Sequence, residues 1–392
     1  MLRKSSAKGT AELRRQNRDA ILQALWSNGP LSRTDLSDIT GLSPASITNI
    51  VDQLLGEHLL LESGEVKSHV GRKPILLDLN RQNIMSIAID VTAPNEATVA
   101  LINLHYEPLR TVEIEIEEYQ ISSLLEKIMV AVHGFMRDAH KHCVVGVGIT
   151  VPEDLDISKA KMLFSTSLSS ERIEFAEALR YQYRIPVRME RKVNGMALAE
   201  LDTGVCKELN SFLYLNLAKT VDASLVLQRK VVLQGFTGDI GHIEVASQGV
   251  ACRCGRRGCL DTLVGGWAIM HRVLADKLLE LADKADPLLL LSTHVSVDDV
   301  VQQARCGDEL AQHICEDAVS ALRKALDAVL ALLQVEGVVL GSDAYRLWPR
   351  ALSELLQGKS LRKPVEVLSG GLASSALLGA AGFAFRTWIG EK

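Results

Sequence analysis

The densest chemistry in this sequence is Cys252-Arg-Cys-Gly-Arg-Arg-Gly-Cys259, three thiols in eight residues, with His242 ten positions before the first of them. Sulfurs so closely spaced cannot all face a core. Gly255 and Gly258 allow the tight backbone that gathers Cys252, Cys254 and Cys259 to one point. Thiolates plus one imidazole are the ligands of a closed tetrahedral zinc site, so the expected cofactor is Zn2+, held by His242, Cys252, Cys254 and Cys259. The chain has seven cysteines, an odd number with three of them in this cluster, which argues against a disulfide framework. Cys143, Cys206, Cys306 and Cys315 read as buried thiols without a role.

A second set of residues has the chemistry of base and phosphate recognition. Ser43 and Pro44 open a helix that runs through Ile47, Ile50, Val51 and Leu54 to Gly56. Its solvent face carries Ala45, Ser46, Thr48, Asn49 and Gln53, all small or hydrogen-bonding, with no acid before Asp52. Asn and Gln can pair with adenine edges, and Ser and Thr with phosphates or bases, so this face fits a DNA major groove. Two preceding helices position it. The first shows apolar periodicity from Leu13 to Trp26 and stops at Asn28-Gly29-Pro30, with residues 1 to 12 read as a flexible arm. The second follows Ser32, with Asp35 three residues on in the manner of a capping box, and ends at Thr40-Gly41-Leu42. Helix, glycine turn, helix is the helix-turn-helix pattern. Strands at Leu59 to Glu62 and Pro74 to Leu79 then flank a polar loop, a wing whose Arg72 and Lys73 are placed for a minor groove or phosphate.

Charge supports this placement. The 392-residue chain carries a net charge of −5, which argues against wholesale nucleic-acid binding. Yet residues 1 to 34 hold seven Lys and Arg, Arg33 among them, against two acids. The basic charge sits where a DNA-facing element would use it. The expected DNA-contacting set is therefore Arg33, Ser43, Ala45, Ser46, Thr48, Asn49, Arg72 and Lys73. Hydrophobic content of 47% is that of a globular protein with room for two or three domains. No apolar run approaches a membrane span and no signal peptide is seen, so a cytoplasmic protein without membrane partners is expected.

Gly241-His242, the CxCGxxGC run and Leu260-Asp261 together resemble the zinc signature of the ROK family of repressors, open reading frames and kinases. The resemblance extends over about residues 10 to 385. It implies an α/β chain: an N-terminal winged helix-turn-helix over residues 1–80, then a two-lobed, actin-like (ribonuclease H-like) ATPase-type ROK domain with a zinc site over 81–392. Residues 86–190 plus the C-terminal helix would form the first lobe and 191–370 the second. It also implies double-stranded operator DNA as partner, a sugar or sugar-derivative effector, and a homodimer or homotetramer.

The departures from the family pattern concern catalysis. ROK kinases have a glycine-rich Asp-x-Gly-Gly-Thr turn; this chain reads Asp90-Val-Thr-Ala-Pro94. The kinase segment Glu-Asn-Asp-Ala-Asn, whose Asp is the general base, reads Glu190-Arg191-Lys192-Val193-Asn194. A lysine with an ordinary pKa of about 10.4 is protonated at neutral pH and is no base. The second phosphate loop, residues 215 to 225, contains no glycine. Asp239 and Asp261 stand where the family has sugar-contacting Glu, each one methylene shorter. The expectation is a regulator of carbohydrate genes and not an enzyme, with candidate effector contacts Arg191, Lys192, Asp239, His242 and Asp261. Arg191 and Lys192 would suit an acidic or phosphorylated ligand. A regulator governed by a protein partner, with no small-molecule effector, is the alternative.

Overall fold

The structure is a computed structural model. It describes residues 3–65, 74–93, 95–117, 121–138, 143–152, 163–165, 172–233, 238–281, 296–357, 361 and 365–390. The chain divides into two compact units, Met1–Glu190 with Ala380–Lys392, and Arg191–Gly379.

The first unit opens with α1 (Arg3–Asn28), β1 (Leu31–Ser32), α2 (Arg33–Thr40), α3 (Pro44–Gly56), β2 (Leu60–Glu65) and β3 (Ile75–Leu79). The flexible arm expected over residues 1 to 12 is not what forms: the backbone is helical from Arg3. Lys4, Ala7, Lys8, Ala11 and Glu12 are good helix formers, and together they outweigh the one glycine among them. Both expected caps are present. The Ser32 hydroxyl accepts from the Asp35 N–H at 3.2 Å, and the Asp35 carboxylate accepts from the Ser32 N–H at 2.9 Å. Those bonds hold the Asp35 carboxyl below the usual range. Gly41 ends α2 at φ 69°, and Ser43 accepts from Ser46 N–H to start α3. Ile21, Leu22, Leu25, Leu36, Ile47, Val51, Leu54 and Leu77 close the small core, and β1, β3 and β2 form an antiparallel sheet beneath the helices.

The rest of this unit is one sheet of β4 (Ile84–Ala93), β5 (Glu96–Asn103), β6 (Pro108–Glu115), β7 (Cys143–Val151) and β10 (Val187–Arg191), in the order β10-β7-β4-β5-β6. Helices α4 (Ile121–Asp138) and α5 (Phe175–Tyr183) and a small ribbon of β8 (Leu163–Ser165) and β9 (Arg172–Glu174) complete the chain segment. The later turns of the last helix close the face: a Cβ on Gly148 would run into the Ala380 backbone, so only glycine permits this approach. Strand β4 runs on to Ala93, which pairs with Glu96, so the phosphate-turn position is a closed strand pair. Pro94 lies outside the described residues.

The second unit begins with α6 (Lys192–Asp202) and has a sheet of the same plan. Its order is β13 (Lys230–Val231), β12 (Val221–Leu227), β11 (Phe212–Leu217), β14 (Gly337–Gly341) and β15 (Glu366–Ser369). In each sheet an antiparallel meander of three strands continues into parallel neighbours. Over the second sheet lie α7 (Asp261–Val264), α8 (Gly266–Leu281), α9 (Val297–Arg305), α10 (Glu309–Leu332) and α11 (Trp348–Gln357), with α12 (Ser375–Trp388) ending the fold. Helix α11 has no side-chain cap of its own, since Leu347 precedes Trp348. Its start is organised from a distance: the Asp298 carboxylate accepts from the N–H groups of Arg346, Leu347 and Trp348 at 2.8–3.1 Å. Among the described residues, no helix is long and apolar enough to cross a membrane.

Candidate functional site

The four expected metal ligands come together. A 3-10 turn at Ile240–His242 presents the imidazole, and the thiols follow on a loop pinned by bridges Glu244 to Cys259 and Ala251 to Arg257. Gly255 at φ 88° and Gly258 at φ 65° make the tight bends, and a Cβ on Gly258 would run into the Ala246 carbonyl. All four ligand atoms lie within 4.8 Å of one another; Cys252 Sγ is 3.6 Å from His242 Nδ1, and Cys254 Sγ is 3.6 Å from Cys259 Sγ. A tetrahedral zinc with bonds of about 2.0–2.3 Å requires ligand–ligand edges of about 3.6–3.8 Å. The residues therefore fit a four-coordinate Cys3His site. The backbone and side chain of Arg256 donate toward Cys254 and draw its thiol down, while burial pushes Cys259 up.

Next to this loop lie the candidate effector residues of the second unit. Lys192, at the first position of α6, is buried, and its Nζ is 3.2 Å from Asp343 Oδ2. The ammonium thus has a carboxylate counter-charge from the segment after β14. Arg191 lies against Gly238, where a Cβ would come within 3.0 Å of its guanidinium. Asp239 is exposed. Asp261 is buried, and its Oδ1 accepts from Val221 N–H at 2.8 Å, so this carboxylate holds the start of β12. Burial raises the Asp261 carboxyl, a shift the Val221 bond opposes. The hairpin between β11 and β12 is tight, with Leu217 paired to Val221 and Ala218 N–H donating to Thr220 O. Sequence reasoning missed three polar residues here. Asp343 balances Lys192; Asn216 accepts from the Asp343 N–H; Asp222 has its carboxyl raised to about 6 by burial. Asn216 and Asp222 lie within the glycine-free stretch 215 to 225, but their polar side chains are no part of the pattern looked for there, and Asp343 sits in no motif.

The residues expected to face DNA belong to the first unit. On α3, Ser43, Ala45, Thr48 and Asn49 are exposed and Ser46 is partly so. Thr48 bonds back to the Pro44 carbonyl at 2.9 Å, which leaves Asn49 as the forward amide of the exposed face. Arg33 Nη2 pairs with Asp52 Oδ1 at 3.0 Å, tying α2 to α3. Arg72 and Lys73 lie outside the described residues.

Comparison with known proteins agrees with both halves. A winged helix-turn-helix DNA-binding model matches residues 14–59, and the ROK family model matches residues 86–386. This chain belongs to the ROK family. The xylose repressor of Bacillus spizizenii is 24% identical over 362 residues, covering 89% of this chain and 88% of that protein. A ROK family transcriptional regulator described as a homologue of the E. coli MLC protein superposes with a TM-score of 0.76 at 22% identity, over 96% of this chain and 97% of that one. The ROK hexokinase of Thermus thermophilus shares the fold with a TM-score of 0.57 at 22% identity, over 76% of this chain and 97% of its own.

Proposed function

We propose that this ROK protein is a DNA-binding transcriptional regulator, a repressor of carbohydrate catabolic genes, whose kinase-like domain senses and assembles but does not transfer phosphate. The observation that carries the reading is a pairing of opposites in one chain. A groove-sized polar helix face stands free on α3, while the position of the family's catalytic base holds a buried lysine neutralised by Asp343. A base must accept a proton from a sugar hydroxyl; an ammonium has no lone pair with which to accept it.

The proposed mechanism places the α3 helices of two chains in successive major grooves. The wing, with Arg72 and Lys73, adds phosphate or minor-groove contacts. A sugar or sugar derivative near Arg191, Lys192, Asp239, His242 and Asp261 shifts the population between two arrangements of the DNA-binding elements. Zinc, when bound, supplies a structural cross-link and no chemistry of turnover. His242 and the three cysteines would hold it, and the loop so fixed carries Asp261 to the β11–β12 hairpin. A second reading, control by a protein partner without an effector, is favoured by the same ion pair. Lys192 is already compensated from within, so an acidic ligand must compete with Asp343.

The deciding experiment is selection of genomic DNA fragments by the purified chain, with half-site spacing read from the enriched sequences. Inverted repeats upstream of sugar transport or catabolic genes are the expected result. No enrichment over a control lacking residues 1–80 would overturn the reading.

A further inference from the structure

Two of the seven thiols are exposed, Cys254 and Cys306. They stand in different surroundings. Cys306 follows the last turn of α9. Cys254 lies at the tip of the metal loop. Its turn is closed by the Gly255 N–H on the Cys252 carbonyl at 2.9 Å and the Cys252 N–H on the Arg256 carbonyl at 2.7 Å. Arg253, Arg256 and Arg257 beside it are exposed as well. The backbone and side chain of Arg256 donate toward the Cys254 sulfur. An accessible sulfur in electropositive surroundings is the kind that oxidants attack.

A resolving thiol is at hand. Cys259 is buried, and its Sγ is 3.6 Å from Cys254 Sγ. A disulfide holds its sulfurs about 2.05 Å apart, so the pair must close by about 1.5 Å. Gly255 and Gly258, both at positive φ, lie between the two cysteines and give the turn freedom to make that movement. Cys259 meanwhile is held by its bridge to Glu244. The third thiol of the cluster is placed otherwise: Cys252 is buried, with its Sγ 3.6 Å from His242 Nδ1. An accessible thiol poised beside a second, resolving thiol is the arrangement of a redox-responsive pair.

The geometry points to Cys254 and Cys259 as an oxidative modification site, a dithiol that hydrogen peroxide converts to a disulfide and a thiol reductant restores. The Cys254 thiolate attacks one peroxide oxygen. The O–O bond breaks and hydroxide leaves, which gives a sulfenic acid on Cys254. The Cys259 thiol then attacks that sulfur; the S–S bond forms, the S–O bond breaks and water leaves. In sum the two thiols lose two electrons and two protons, and one peroxide becomes two waters. With Cys254 and Cys259 joined, His242 and Cys252 alone cannot close a tetrahedral site, so oxidation also expels the metal. That last step rests on the zinc reading above; the thiol pair does not.

The test uses the intact chain, with its zinc content measured beforehand. Hydrogen peroxide is added in stoichiometric amounts, free thiols are alkylated, and the linked peptides are mapped by mass spectrometry while a metallochromic dye follows released zinc. A Cys254–Cys259 disulfide should form, with a mass loss of about 2 Da, before Cys306 reacts. Zinc should leave in step with it, and dithiothreitol should restore both thiols. Arg256→Gln keeps all four ligands and should slow disulfide formation by about three- to tenfold, whereas Cys306→Ser should react as the parent does. A disulfide between any other pair, oxidation of Cys306 first, over-oxidation of Cys254 without a disulfide, zinc retained after the disulfide has formed, or an unchanged rate in Arg256→Gln would each overturn the proposal. A chain that carries no zinc before peroxide is added would refute the zinc reading alone, and the mapped disulfide would still decide for or against the thiol pair. None of these readouts needs DNA, so they stand apart from the test of operator binding.

Discussion

The ion pair between Lys192 and Asp343 makes an asymmetric prediction about stability. Lys192 Nζ and Asp343 Oδ2 are 3.2 Å apart, but the two side chains are not equally buried: 5% of the lysine is exposed and 28% of the aspartate. At that separation the attraction is about 5 kcal/mol for an effective dielectric near 20, before desolvation is subtracted. Asp343→Asn removes the counter-charge and leaves an ammonium in a site from which water is nearly excluded. Removing one partner of a buried pair costs about 3–5 kcal/mol, and the lower end applies where one partner keeps some water. Lys192→Met removes the more buried charge and replaces it with an apolar chain of similar length, while Asp343 turns to solvent. Its cost should be about 1 kcal/mol or less. The double variant should resemble Lys192→Met, because no stranded charge remains. The two units of this chain need not unfold together, so the assay is native-state hydrogen exchange at β11 and β14, which read the opening of the surrounding sheet. Equal costs for the two single variants, or a larger cost for Lys192→Met, would refute the argument from burial.

Three further outcomes follow from the same structure. Chain purified in zinc-containing buffer should carry one zinc, lose it on Cys254→Ser, and after chelation show faster exchange over residues 242–261; unchanged melting and exchange after verified metal removal would exclude a structural ion. Asn49→Ala, at an exposed position on α3, should leave thermal stability within about 0.5 kcal/mol yet weaken binding to the selected operator by about 1–3 kcal/mol. Asp222 gives a pH effect. Burial raises its carboxyl from 3.8 to about 6, so the folded chain keeps a proton that the unfolded chain releases. Its contribution favours folding below the unfolded value and is lost as pH rises through about 6. Asp222→Asn should therefore gain up to about 3 kcal/mol over the parent between pH 4 and pH 7, and denaturant melts showing a constant difference across that range would contradict the assignment.

Much of this architecture could be read from the residues because its signals are local. Ser32 with Asp35, Ser43 before Pro44, and Gly41 each declare a helix end within four positions, and each forms the cap its chemistry implies. The metal loop was legible for the same reason, with ligands and glycines in one short run. What escaped the sequence is held by residues far apart. Helix α11 starts on a carboxylate from Asp298, about fifty positions upstream, so no capping residue stands before Trp348. Asp343 meets Lys192 across 151 positions. Cys143, read as a plain buried thiol, is half-buried and reaches the Glu57 carbonyl across 86 positions. The shared plan of the two sheets was invisible as a repeat, because strand order survives replacement of nearly every side chain that displays it. On α1 the error ran the other way: polar residues suggested an arm, although their helix propensity was sufficient to extend the helix to Arg3.

The first unit is built from both ends of the chain, and this has a consequence in time. Gln23 of α1 donates to the Ile389 carbonyl at 2.9 Å, and the Arg386 guanidinium lies over the Trp26 ring at 5.8 Å. During synthesis the winged helix emerges first, yet part of its seat does not exist until 366 further residues have been made. At ordinary translation rates that interval is roughly half a minute. For that time a nascent winged helix would be tethered to the ribosome with only the contacts from Asn83 and Cys143, and chains halted before residue 386 would never gain those from Arg386 and Ile389.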